Sequence, residues 1–274
     1  MALDALIPGR FHRYVALGDS FTEGVGDPDP TRPNGLRGWA DRVADALAVD
    51  NPDFSYANLA IRGRKLPQIL AEQIEPALAL RPDLVTIHGG GNDVLRPKVD
   101  LDALARSYDA AVARLASGGA RVVMFTLPDA TSNKVFKPVR GRIALFNEWV
   151  REIADTRGAL LVDMWRDHDY DPRATLDADR LHLNAAGHQA MALKVLEVLK
   201  VAHRLAPAEV PELPVLTRRE QRRADWEWAR TYLAPWVKRR LTGRSSGDGV
   251  TPKYPEATPL AAAVSRSLAQ GADS

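Results

Sequence analysis

The stretch "RYVALGDSFTEG", residues 13–24, decides how the chain is read. An apolar run ends abruptly in Gly-Asp-Ser. Continuous apolar runs of this length suit strands buried on both faces, as in a parallel sheet covered by helices. Read alone, Ser20 fits both a turn residue, the commoner case, and a nucleophile.

Similar runs recur outward from it: "FSYANLA" (54–60), "DLVTIHG" (83–89), "RVVMFTLP" (121–128) and "ALLVDM" (159–164). Helical patterns separate them. "LDALARSYDAAVARLAS" sets Leu101, Leu104, Tyr108, Val112 and Leu115 three and four residues apart, which gives one apolar helical face. Residues 139–157 and 185–204 read as further helices. Alternating strands and helices imply a parallel sheet with helices on both sides. In such sheets the ligand crevice lies beyond the carboxyl ends of the strands. Ser20, Gly63 and Gly89–Asp93 follow the first three runs, so their loops are expected on one edge.

The 274 residues, 45% hydrophobic, are enough for one sizeable core with chain to spare. Cysteine is absent, which excludes disulfides, thiolate chemistry and cysteine-based metal sites. A reducing, cytoplasmic setting is the expectation. Asp4 stands where a secretory leader would be basic, and no long apolar segment follows, so neither a leader nor a membrane span is expected. The net charge of +2 is unevenly spread. Residues 211–244 carry nine Lys or Arg against four Asp or Glu, net +5, which leaves −3 elsewhere.

The pattern divides the chain into three. Residues 1–205 read as one domain, which holds the strands, their helices and the strand-end loops. Residues 206–242 read as a proline-rich connector, "APAEVPELP", and a basic, Trp-rich helical extension. Residues 243–274, rich in Gly, Ser, Pro and Ala, read as a flexible tail. In the extension Trp226, Ala229, Leu233 and Val237 repeat along one face, and Pro235 is expected to kink or end the helix.

A serine hydroxyl needs a neighbouring base to attack at neutral pH, and histidine, its tautomer held by an acid, is suited to the task. "DADRLHLNAAGH" (177–188) offers Asp179 and His182 in a tight turn before a helix. Asp177 is a rival for the acidic position, whereas His188 belongs to the helix and reads as structural. An attacked carbonyl also needs donors for its negative charge. "IHGGGND" (87–93) supplies Asn92, Gly63 supplies a backbone N–H near a helix start, and the Ser20 amide is a third donor.

Four blocks together resemble the SGNH hydrolases, also called GDSL esterases and lipases: "ALGDSFTEG", "NLAIRGRKL", "GGGND" and "DRLHLNAAGH". The resemblance implies a flavodoxin-like three-layer α/β/α sandwich with a five-stranded parallel sheet. It implies a catalytic set of Ser20, Asp179 and His182, and an oxyanion hole from Ser20, Gly63 and Asn92. The activity implied is carboxylic-ester hydrolysis through an acyl-enzyme. Without a large apolar lid, short-acyl or acetyl esters are the expected substrates. The competing reading is a non-enzymatic carbohydrate- or lipid-binding module on the same fold.

No cofactor is expected. His88, His182, His188 and Asp93 match no compact metal-ligand spacing, so no metal is expected either. Phosphate and dinucleotide loops are missing, because "LGDSFTEGVG" lacks G-x-G-x-x-G. Trp39, His88 and Phe136 are candidate pocket walls, with burial of Trp39 against the sheet the alternative. The arginines and tryptophans of the extension suggest weak peripheral membrane contact. Packing of the tryptophans on the catalytic domain is the favoured reading, and nucleic acid is not favoured. The sequence leaves the oligomeric state open.

Overall fold

The computed structural model describes residues 10–129, 137–167, 171–209 and 216–260. The catalytic part begins with β1 (Arg13–Leu17), a short α1 (Ser20–Glu23), α2 (Gly38–Ala48), β2 (Ser55–Asn58) and α3 (Leu66–Ala79). It continues with β3 (Leu84–Ile87), α4 (Gly91–Val94), α5 (Leu101–Ser117), β4 (Arg121–Phe125) and α6 (Arg140–Arg157). Next come β5 (Leu160–Val162), α7 (Pro172–Thr175) and α8 (Ala185–Leu199). The extension adds α9 (Arg218–Trp228), a π-helical turn (Ala229–Leu233) and α10 (Ala234–Leu241), and β6 (Tyr254–Pro259) follows it.

The strands form one sheet in the order β5-β4-β3-β1-β2-β6. Side chains alternate across it, as the two-residue period of a strand requires. Val15 and Leu17 join one buried cluster with α3, α5 and α6, while Tyr14 and Ala16 join the other with α2 and α8. Both faces are therefore covered, and the architecture is a three-layer α/β/α sandwich. The five strands legible as apolar runs are mutually parallel.

The sheet is nevertheless mixed and six-stranded, which corrects the expectation of five parallel strands. β6 pairs antiparallel with β2. It comes from "YPEATP", inside the segment whose composition suggested a flexible tail. Its two prolines suit an edge strand, where one side of the backbone needs no ladder partner. The anchor is Lys253, whose side chain is fully buried and pairs with Asp41 at 2.7 Å while donating to the Glu23 carbonyl at 3.0 Å. Burial lowers the Lys253 pKa, and the charge of Asp41 opposes that shift. Composition could not reveal a partner 212 positions away. The last part of the expected tail, 261–274, lies outside the described residues.

The helix around Pro235 neither stops nor breaks. A π-helical turn precedes the proline. Proline removes one backbone donor and crowds the preceding turn. An inserted π-turn is a common way for a helix to absorb such a defect.

Candidate active site

The turn after β1 is shaped by buried contacts. Gly18 has φ +153°, and a Cβ there would lie 2.5 Å from Thr22 Oγ1 and 2.8 Å from the His88 carbonyl. The Gln73 side-chain amide clamps it, accepting from the Gly18 N–H at 2.8 Å and donating to its carbonyl at 2.9 Å. Asp19, 4% exposed, caps α1 by accepting from the Phe21 N–H at 3.2 Å. Ser20 thus opens a helix directly at the end of a central strand.

His182 lies 162 positions away in sequence, and its Nε2 is 2.9 Å from Ser20 Oγ. Its Nδ1 is 2.5 Å from Asp179 Oδ2. Asp179 Oδ1 also accepts from the Leu181 and His182 N–H groups, each at 2.9 Å. Burial pushes the Asp179 carboxyl up, but the hydrogen bonds and charge of His182 outweigh that, so it titrates below its ordinary value. With Nδ1–H donating to Asp179, Nε2 is left to accept from a hydroxyl. Asp177, the sequence rival, instead meets the His182 carbonyl through its own N–H at 2.8 Å.

The strand-end loops converge as their order implied. Asn92, at the start of α4, donates from Nδ2 to Asp19 Oδ2 at 3.2 Å and to the Arg64 carbonyl at 3.1 Å. Both protons of its amide are thus held by protein acceptors, so an incoming oxyanion must share one of them. Gly63, with φ +76°, precedes that same Arg64. It is not among the residues lining the cavity beside Ser20, and Ser245 packs against the side where a Cβ would project.

Sequence reasoning missed the pair that ties this turn to α1. Glu23 is fully buried, accepts from the Arg62 N–H at 2.7 Å, and pairs with the Arg62 guanidinium at 2.5 Å. The signal was present as "TEG" and "IRGR", but nothing local marks them as partners. Asp93 is also buried and accepts from the Leu66 N–H at 2.8 Å. Burial, with the nearby charge of Asp19 adding to it, raises its carboxyl to about 6.

A cavity of about 220 Å³ opens beside Ser20 and His182. Its walls include Leu95, Ile143, Leu127 and Met191, together with His88 and Trp236. His88 is among the residues that line it. Trp39 is not. It is fully buried on α2, its ring 5.4 Å from that of Phe21, which does line the cavity. Phe136 lies outside the described residues. His188 is fully buried, and burial drives it down to about 4. It is therefore neutral, accepting from the Trp39 N–H at 3.1 Å and donating to the Val25 carbonyl at 3.2 Å. Among the described residues, no group of three His, Cys, Asp or Glu is placed to hold a metal ion. No helix among them is long and apolar enough to cross a membrane.

A serine, an imidazole and a carboxylate in series at the strand ends of an α/β/α sandwich define a hydrolase of the serine type. Residues 16–190 match the family model described as the GDSL-like Lipase/Acylhydrolase family, and the chain belongs to that family. It is accordingly a carboxylic-ester hydrolase. Several solved structures share the fold. LAE5, an alpha/beta hydrolase enzyme from the metagenome of Lake Arreo, Spain, is 24% identical over 69% of this chain and 95% of its own, with a TM-score of 0.58. A catalytic mutant of Axe2, an acetylxylan esterase from Geobacillus stearothermophilus, is 23% identical over 71% and 96%, with a TM-score of 0.60. Another Axe2 mutant, from an acetyl-xylooligosaccharide esterase of that organism, is 25% identical over 72% and 99%, with a TM-score of 0.58. No curated protein matches the chain.

Proposed function

We propose that Ser20 is the nucleophile, His182 the general base and Asp179 its orienting acid, acting on esters with short acyl groups, acetyl above all. His182 Nε2 takes the Ser20 proton as Oγ attacks the ester carbonyl. The N–H groups of Ser20 and Gly63 and the Asn92 amide receive the oxyanion. His182 then protonates the leaving alcohol, and water repeats the sequence on the acyl-enzyme.

The observation that carries this reading is the 2.9 Å approach of His182 Nε2 to Ser20 Oγ, with Asp179 behind the ring at 2.5 Å. Support for a small acyl group comes from the cavity, whose 220 Å³ falls below the roughly 300–1,000 Å³ typical of drug-sized ligand sites. The acetyl esterases among the similar structures point the same way. The absence of cysteine supports a cytoplasmic setting.

A fluorophosphonate probe tests the assignment. Labelling at Ser20 is expected in the intact chain, with loss in Ser20→Ala and a large fall in His182→Ala. Hydrolysis of p-nitrophenyl acetate should follow the same order. Undiminished labelling in His182→Ala removes the base, and hydrolysis surviving Ser20→Ala removes the nucleophile.

A further inference from the structure

The family match ends at residue 190, yet the extension reaches the site at three points. Trp236, in α10, lines the cavity together with Ser20 and His182. Trp228, the last residue of α9, donates its indole N–H to the Asp179 backbone carbonyl at 2.8 Å. Arg180, between Asp179 and His182, pairs with Asp225 at 2.6 Å and lies 5.1 Å over the Trp228 ring.

These contacts fall where the turn is weakest. Arg180 has φ +58°, a left-handed conformation unfavourable for a residue with a Cβ. The side chains of Asp179 and His182 are each 20% exposed. Fixing the Asp179 carbonyl fixes the peptide from which its carboxylate projects, and so the imidazole behind which it sits. The π-helical turn has a matching consequence. At about 100° per residue, eight residues of α-helix would leave Trp228 and Trp236 roughly 80° apart. The extra residue in a π-turn removes that excess and brings both indoles toward the catalytic domain. Trp226 of the same helix points away and is 74% exposed.

Resting on the reading of Ser20, Asp179 and His182 given above, we propose that the extension completes the active site. Trp236 is a specificity-determining wall that limits the acyl chain admitted, and Trp228 is a positioning residue for the Asp179–His182 turn. Indole at 236 adds a large rigid surface to a cavity whose walls include Leu95, Ile143 and Met191 as well as Phe21 and His88. Trp228 acts only through the turn and touches no substrate.

The test uses the full chain and p-nitrophenyl esters from acetate to octanoate. Trp236→Ala is expected to raise the octanoate-to-acetate ratio of kcat/KM about tenfold, the effect of removing a wall a few methylenes deep. Trp236→Leu, a milder change that keeps the site apolar, should shift the ratio the same way by less. Trp228→Phe keeps an aromatic face for Arg180 but is smaller than indole and loses the N–H that the Asp179 carbonyl accepts. It is expected to lower kcat for acetate about tenfold with KM within about twofold, and to slow fluorophosphonate labelling in proportion. Trp226→Ser, on the outward face, should leave both readouts unchanged. An unaltered chain-length ratio in both Trp236 variants, or a Trp228→Phe enzyme with unchanged kcat and labelling, overturns the proposal. Those outcomes leave the Ser20 assignment standing, because its own failure is read from hydrolysis surviving in Ser20→Ala.

Discussion

The turn that carries Ser20 and the turn that carries Asp179 and His182 are held in opposite ways. The first is embedded: Gly18 is clamped by Gln73, and Asp19, Thr22 and Glu23 are buried. The second lies near the surface, with Leu181 43% exposed and Arg180 in the left-handed region. Its own ties include the bridge between Leu176 and Leu183, the Asp177 N–H on the His182 carbonyl and the hydrogen bonds onto Asp179. Others come from the C-terminal extension. The proposed nucleophile is therefore placed by the core, and the proposed base by a partly exposed turn with outside support. In the embedded half, a change should register in stability as well as rate. In the exposed half, rate should suffer with little loss of stability.

The largest effect that sharpens this contrast is expected at Asn92. Asn92→Ala removes one proposed oxyanion donor and the bridge between Asp19 and Arg64. Loss of such a donor costs roughly 2.7–4 kcal/mol of transition-state stabilisation, about 10²–10³ in kcat. Near-normal turnover of p-nitrophenyl acetate would exclude that role.

Asp93 gives the next effect, read as stability against pH. Its carboxyl is raised to about 6 in the fold, chiefly by burial, from the ordinary 3.8. The protonated form is therefore favoured by folding. Its contribution is complete below pH 3.8 and disappears as pH rises through 6. Asp93→Asn cannot ionise, so its stability relative to the natural chain should grow between those limits and level off above them. At one pKa unit per 1.36 kcal/mol the ceiling is about 3 kcal/mol. Urea unfolding of both chains at pH 4, 5, 6 and 7 measures it, and a difference that stays flat with pH would break the embedded half of the contrast.

The smallest effect is expected in the exposed half. Arg180→Gly relieves a left-handed residue by about 1–2 kcal/mol. It forfeits a surface ion pair of roughly 0.2–1 kcal/mol and a cation–π contact of about 0.5–1 kcal/mol. Unfolding stability should therefore change by less than about 1 kcal/mol while kcat falls several-fold. A stability loss above about 2 kcal/mol would show that this turn is bound into the core after all.

Much of the site was legible because short peptides state it. Gly18-Asp19-Ser20 ends an apolar run, and Asp179 and His182 lie three apart in one turn. A contact made within a turn depends on few residues, so its parts stay together in sequence. Trp39 illustrates the opposite case. Its helix is readable, but whether the indole meets the cavity or the sheet depends on its neighbours, Phe21 among them. Glu23 and Arg62 escaped notice because each looks like an ordinary surface charge until folding buries Glu23 against the half-buried Arg62.

By itself the sequence determined five parallel strands, the helices between them and the cluster of strand-end loops, because side-chain period and turn chemistry act over a few residues. Tertiary structure alone decided the sixth strand, the burial of Lys253 against Asp41, and the arrival of Trp228 and Trp236 at the site. Each of those rests on partners distant along the chain. Their free energy appears only when a distant surface is present to bury a charge or accept an N–H, and no local pattern encodes it.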